Sequence, residues 1–305
     1  MNKDELLDGC RQALQEFLDG SKLTIHPYSR DPDLESLVWD VVRGWDNVSL
    51  LGPHIVTAIT LVATAYNHIT NIDTKVQIVL YNLIVIIIDD PAFLGATRFG
   101  EFARMFTGGA TESGSNLERT FTQILRGIWN HYPRFAASAI VSSSLEFVNA
   151  NILQNETNEM ALSSEGAPFV EYRRMKDGAA ETYAYFIWEK ARFPDVRAYI
   201  QAIPDAIRYI NHGNDILSFY KEQSSGETGT YIVDRAVSEG KSTLEVLHEV
   251  IQEGIAAMRR IRRILGEGEA WEAWENFACG YIGFHTSSPR YRLQEVIGSV
   301  YLIQN

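Results

Sequence analysis

Ile210-Asn-His-Gly-Asn-Asp-Ile-Leu-Ser-Phe-Tyr-Lys-Glu222 is the stretch on which the reading of this chain turns. Asn214, Ser218 and Glu222 recur every fourth residue. On an α-helix that spacing sets an amide, a hydroxyl and a carboxylate one turn above another on a single face. Polar residues at this spacing usually form the wet side of an amphipathic helix. Two features argue against that here. Asn and Ser are weak helix formers, and a purely solvated face would favour Glu, Lys or Gln. Gly213 sits within the helical stretch at a cost of roughly 1 kcal/mol relative to Ala, as if another group approached the backbone. Three oxygen donors in register suit a hard divalent cation such as Mg²⁺ that leaves positions open for phosphate oxygens, and Lys221 adds a positive charge beside them.

The remainder of the chain reads as helix. Residues 3–18, 34–45, 53–67 and 74–90 carry helical apolar periodicity, as do 117–129, 133–155, 169–188, 195–201, 204–222, 231–238, 242–265, 269–284 and 292–303. Pro53 and Pro204 suit first helical turns. The run ending Ile86-Ile-Ile-Asp-Asp90 is β-branched enough for a buried strand, but its length of about fifteen residues favours a buried helix. Polar loops are expected at 107–116, 161–168, 223–230 and 286–291. Strand-like alternation is nearly absent, and no repeat or composition shift marks a boundary. The expectation is an all-α single domain over residues 1–305, an irregular helical bundle around a central cavity.

Composition narrows the function. With 46% hydrophobic residues the 305-residue chain can bury a sizeable core. The formal net charge of −12 disfavours broad nucleic-acid binding. No apolar run is long enough for a membrane span, and Met1-Asn-Lys-Asp-Glu-Leu lacks the apolar segment of a signal peptide. Cys10 and Cys279 make no disulfide framework. A soluble, cytoplasmic protein is expected.

Asp89 and Asp90 close an apolar run, where paired carboxylates are costly without a compensating positive charge. The plain alternative is that the helix emerges into water there. A phosphatase-type nucleophilic Asp would want a carboxylate two residues on, and Pro91 occupies that place. Arg173-Arg174-Met-Lys-Asp177-Gly178 and Pro289-Arg290-Tyr291-Arg292 add basic clusters; singly each reads as surface charge, but guanidinium groups also grip phosphate with fixed geometry. Together with two candidate metal sites they describe a trap for a diphosphate.

At this point the chain resembles the class I terpene synthases, and most closely the fungal trichodiene synthase group. Asn214-Asp215-x-x-Ser218-x-x-Lys221-Glu222 is similar to that family's second metal motif, including Phe219-Tyr220. Asp89-Asp90 stands where the aspartate-rich first motif belongs, 125 residues before Asn214. The resemblance implies the class I terpenoid synthase fold and several Mg²⁺ ions, three of them in the closed complex, held by Asp89, Asn214, Ser218 and Glu222, with Asp90 and Asp215 in support. It implies Arg173 as the diphosphate sensor, coupled through Asp177 and Gly178 to ionisation, and Arg173, Lys221, Arg290 and Tyr291 on the diphosphate. The implied reaction is ionisation and cyclisation of a linear prenyl diphosphate, farnesyl diphosphate, to a sesquiterpene, with the loops at 223–230 and 285–291 as lids and Asp90 bonded to Arg290 on closure. A homodimer is implied as well. The family's third acid after the first motif is missing here, where Pro91-Ala92-Phe93 follows Asp90. Two other functions stay open: a non-catalytic prenyl-diphosphate-binding relative, and a chain-elongating prenyltransferase, which would want a second aspartate-rich motif. Tyr66, Phe93, Tyr183, Phe186, Trp188 and Phe284 are aromatic candidates for the cavity wall, each equally suited to plain core.

Overall fold

A computed structural model describes residues 3–24, 29–89, 98–110, 114–157 and 160–298. Among them there is no strand, and the all-α expectation holds. The helices are α1 (Lys3–Ser21), α2 (Pro32–Val42), α3 (Gly52–Ala65), α4 (Ile72–Asp89), α5 (Phe102–Thr107), α6 (Asn116–Gly127), α7 (Arg134–Glu156), α8 (Ala167–Lys176), α9 (Ala180–Phe186), α10 (Ile203–Ser225), α11 (Tyr231–Glu239), α12 (Thr243–Leu265), α13 (Glu269–Ser287) and α14 (Gln294–Ile297).

Local chemistry sets the helices that matter for the site. Asn71 Oδ1 accepts from the Asp73 and Thr74 amides and so starts α4. From Ile78 onward α4 is buried on nearly every side, which explains why it is apolar all round. Asp89, its last residue, is exposed. Proline in its first turn opens α10, and Gly226 ends it in the left-handed conformation at φ 69°. A capping box between Ser242 and Glu245 opens α12. α10 packs on α12 and α9, while α13 packs on α3 and α3 on α4. The approach of α13 to α3 is made by Gly280, where a Cβ would lie 2.1 Å from the Thr64 carbonyl oxygen. Gly213 in α10 is likewise faced by a side chain: a Cβ there would stand 3.1 Å from the Tyr281 ring.

Four boundaries differ from the sequence reading. The single helix expected over 169–188 is two, α8 and α9, separated by a 3₁₀ turn at Asp177–Ala179 with Ala179 left-handed at φ 51°. The helix expected at 195–201 is a pair of 3₁₀ turns, Val196–Ala198 and Ile200–Ala202. Residues 99–106, unassigned from sequence, and Thr107, expected in a loop, form a 3₁₀ turn leading into α5. Of the helix expected over 292–303, the described part is the single turn α14, ended by Gly298 at φ 68°. No helix among the described residues is long and apolar enough to cross a membrane.

Candidate active site

The expected site residues converge. Asp89, Asn214, Asp215, Ser218, Lys221, Glu222, Arg173, Asp177, Arg290 and Tyr291 all line one cleft of about 350 Å³. Five elements deliver these residues. α4 delivers Asp89 at its C-terminus, α10 its Asn-Ser-Glu face, α8 and the following turn Arg173 and Asp177, and the 3₁₀ turn Pro289–Tyr291 the last pair. Gly178 lies in the 3₁₀ turn with Asp177. Asp90 and Phe93, with the expected Asp90–Arg290 contact, lie outside the described residues.

The cleft holds its charges under tension. Among the described residues its lining carries five carboxylates, Asp89, Asp177, Asp215, Glu222 and Glu227, against four cations, Arg173, Arg174, Lys221 and Arg290. Burial raises the Glu222 pKa, with Asp215 and Glu227 adding to it and Ser218 and Lys221 opposing. The Asp89 carboxyl is pushed up to about 6, first by the surrounding protein and then by Asp177, against Arg290, Lys221 and Arg174. Its side chain opens to the cleft, so water screens part of that effect. Burial pushes the Tyr291 phenol up to about 12; Arg290 opposes this, and Asp89 and Glu222 both add to it. Tyr291 therefore stays a hydrogen-bond donor at neutral pH.

The two arginines of the basic cluster do different things. Arg174 is enclosed: Nε donates to Asp215 Oδ2 at 3.1 Å, Nη2 to the Asn211 carbonyl at 2.8 Å, and Nη2 stands 2.9 Å from Asp215 Oδ1. Burial works to lower its pKa, but Asp215 and Asp177 raise it on balance. Asp215 thus serves the cleft by fixing Arg174. Arg173 instead pairs with Asp234 of α11 and donates to the Gly229 carbonyl at 3.1 Å. Lys221 pairs with Glu227 at 3.1 Å. Asp234, Glu227 and Arg174 were not singled out as site residues from sequence. Glu227 lay in an expected flexible loop and Asp234 on an ordinary amphipathic helix, so neither carried a signal; Arg174 was legible only as part of a cluster.

Beneath the cleft lies a second space of about 190 Å³, which shares Asp89, Arg174, Asp177, Asn214, Arg290 and Tyr291 with it. Leu61, Val85, Phe147, Tyr183, Tyr281 and Phe284 make its wall apolar and aromatic. Of the aromatic candidates Tyr183 and Phe284 stand here. Tyr66, Phe186 and Trp188 are buried core, Trp188 stacked on Tyr199 at 4.7 Å. His285 also lines this chamber. The Tyr281 carbonyl can only accept, so the 2.7 Å contact puts the proton on His285 Nδ1 and leaves Nε2 without a proton and, among the described residues, without a partner. Burial holds the ring neutral, with its pKa down at about 4.

The donors suit a hard divalent cation. Among the described residues Ser218 Oγ is buried without a hydrogen-bond partner of normal geometry, beside a Glu222 carboxyl whose pKa burial raises. Among the described residues no three Asp, Glu, His or Cys side chains surround a point by themselves. Such a cation would need ligand oxygens to complete its shell, as Mg²⁺ at phosphate sites commonly does.

A polar mouth over an aromatic chamber within an all-helical body is the build of a class I terpene synthase. Structure comparison agrees on the fold: the linalool/nerolidol synthase of Streptomyces clavuligerus, solved in complex with 2-fluorogeranyl diphosphate, superposes with a TM-score of 0.62 at 15% identity, covering 88% of this chain and 98% of that one. The chain matches the family model for Trichodiene synthase (TRI5) over residues 51–303, and it belongs to that family of terpene cyclases. It is 47% identical over 294 residues to Monoterpene synthase 25 of Postia placenta, covering 96% of this chain and 89% of the relative. It is 34% identical over 242 residues to Alpha-cuprenene synthase COP6 of Coprinopsis cinerea, covering 78% and 73%.

Proposed function

We propose that the protein ionises a linear prenyl diphosphate in the presence of Mg²⁺ and cyclises the resulting cation to a sesquiterpene, farnesyl diphosphate being the substrate. The observation that carries this is the shared cleft. Asp89 from α4 and Asn214, Ser218 and Glu222 from α10 face one space with Arg173, Lys221, Arg290 and Tyr291. Those first four side chains would hold the Mg²⁺, which supplies positive charge against the diphosphate as negative charge grows on it. The cleft's own excess of carboxylate over cation makes such added charge necessary for a polyanion to bind.

Arg173, Arg174, Lys221, Arg290 and the Tyr291 hydroxyl are the donors available to the diphosphate oxygens. The allylic C–O bond breaks heterolytically, its electron pair leaves with the diphosphate, and the allyl cation stays on carbon. The prenyl tail would extend from the cleft into the aromatic chamber, whose ring faces favour a cation by about 0.5–2 kcal/mol each. The chamber's apolar wall keeps water from the cation until a proton is lost or a water adds. Asp177 and Gly178 sit in a strained turn directly after α8, four residues beyond Arg173, where Ala179 is left-handed at a cost of about 1–3 kcal/mol. That strain supports a coupling role for the turn. The same reading takes residues 1–305 as one cytoplasmic catalytic domain forming a homodimer, and light scattering on the purified protein would refute the dimer by returning a monomer mass.

A second reading within the chemistry is a ten-carbon substrate, geranyl diphosphate. The chamber's modest volume of about 190 Å³ favours it, as does a relative named a monoterpene synthase. Incubation with Mg²⁺ and geranyl, farnesyl or geranylgeranyl diphosphate, with the volatile products identified by mass spectrometry, decides between them. Fifteen-carbon cyclic product from farnesyl diphosphate supports the first reading and ten-carbon product alone the second. A longer diphosphate would mark a prenyltransferase. No diphosphate release from any of the three would leave a binding protein.

A further inference from the structure

Two of the cleft's cations, Lys221 and Arg173, are already paired, and by the same short segment. Glu227 takes Lys221 at 3.1 Å and also accepts from the Ser225 hydroxyl at 3.0 Å. Asp234, seven residues on and buried, takes Arg173, and the Gly229 carbonyl accepts a further hydrogen bond from the same guanidinium. Glu227, Thr228, Gly229, Thr230 and Tyr231 all border the cleft. The segment is hung between Gly226 at φ 69° and Gly229 at φ 75°, two left-handed positions that suit glycine. One stretch of chain therefore brings two anionic groups to two cations across the mouth of the site.

We propose that Glu227 and Asp234 are positioning residues that stand in for the diphosphate in the ligand-free protein: they hold Lys221 and Arg173 in place and must be displaced when the diphosphate arrives. This rests on the reading of the cleft as a diphosphate site. Holding two cations in a half-buried cleft without counter-ions would make them repel each other and search for water or for Asp89 and Asp177. The stand-in acids prevent that, at the cost of competing with the ligand. Ligand entry exchanges one set of anionic partners for another, and it frees the 226–234 segment from both ties together.

The test is titration of the full-length protein with inorganic pyrophosphate in the presence of Mg²⁺, followed by calorimetry, for wild type and for the isosteric Asp234→Asn and Glu227→Gln variants. Competition predicts a gain. Each variant should bind pyrophosphate roughly threefold to tenfold tighter, the scale of one ion pair at the edge of an open cleft. Asp234→Glu and Glu227→Asp, which keep the charge, should stay within about twofold of wild type. Damage to the fold can only weaken binding, so a gain cannot be mistaken for it. Wild type that binds while both neutral variants bind equally or more weakly overturns the inference and leaves the diphosphate site standing. Variants that bind where wild type does not support the inference. No binding by any of the proteins removes both the inference and the diphosphate reading.

Discussion

Substituting Asp215 by Ala strands a guanidinium inside the protein. Arg174 and Asp215 have side-chain exposures of only 11% and 10%, and they meet at 2.9 and 3.1 Å. With the carboxylate gone, Arg174 keeps one hydrogen bond, to the Asn211 carbonyl, and the weaker pull of Asp177. Removing one partner of such a buried pair costs about 3–5 kcal/mol, because an uncompensated charge remains in place. Replacing both partners by apolar residues of similar size, Arg174→Met with Asp215→Leu, leaves no such charge and should cost far less than the two single changes together. Urea unfolding followed by far-ultraviolet circular dichroism gives the three differences, and the double-mutant cycle should return a coupling of about 2–3 kcal/mol. If Asp215→Ala costs less than about 1 kcal/mol, the pair behaves as an exposed one. Asp215 would then not be what fixes Arg174 between cleft and chamber.

Other expectations follow from the same geometry. Ser218→Ala and Glu222→Gln should each raise the Mg²⁺ concentration for half-maximal diphosphate release by about 10- to 100-fold, as loss of a metal-site group does, and an unchanged Mg²⁺ requirement would remove both from the metal set. Gly280→Ala in α13 should destabilise the protein by about 2–3 kcal/mol in urea unfolding, despite a helix-propensity gain of about 1 kcal/mol, because the new Cβ meets the Thr64 carbonyl and Ala65 Cα of α3. A stabilised variant would mean that these helices can part freely. The His285 pKa near 4 in the folded chain lies below its unfolded value of about 6.5, so the unfolded state binds the extra proton between those values. Its neutral burial thus contributes stability above pH 6.5 that is lost as pH falls towards 4, by up to about 3 kcal/mol, and His285→Phe should flatten that part of the stability–pH curve. A curve of unchanged slope would place the titration elsewhere.

The sequence spoke clearly where one element carried the signal by itself. Asn214, Ser218 and Glu222 share a helical face because four-residue spacing can do little else, and α10 runs through all three. The apolar α4 was legible from its length, and Gly213 announced a close neighbour that proved to be Tyr281. What escaped was set by tertiary contact. The break between α8 and α9 has one signal in the sequence, the turn dipeptide Asp177-Gly178, but Ala179 and Ala180 beside it are good helix formers, and only the packed structure selects a left-handed Ala179. Asp234 looks like any solvated acid on an amphipathic helix until α11 is laid beside α8. Arg173 and Arg174 are adjacent in the chain, yet the first faces α11 and the second α10, a difference that no composition or spacing encodes.

Crystals grown with Mn²⁺ in place of Mg²⁺ and with pyrophosphate test the central claim most directly, since manganese takes the same oxygen donors and scatters anomalously. The account predicts anomalous peaks in the cleft at about 2.0–2.2 Å from oxygens of Asp89 on one side and of Asn214, Ser218 and Glu222 on the other, with pyrophosphate between them. Manganese bound elsewhere on the acidic surface, with pyrophosphate in the cleft contacting none of these four side chains through metal, would contradict it.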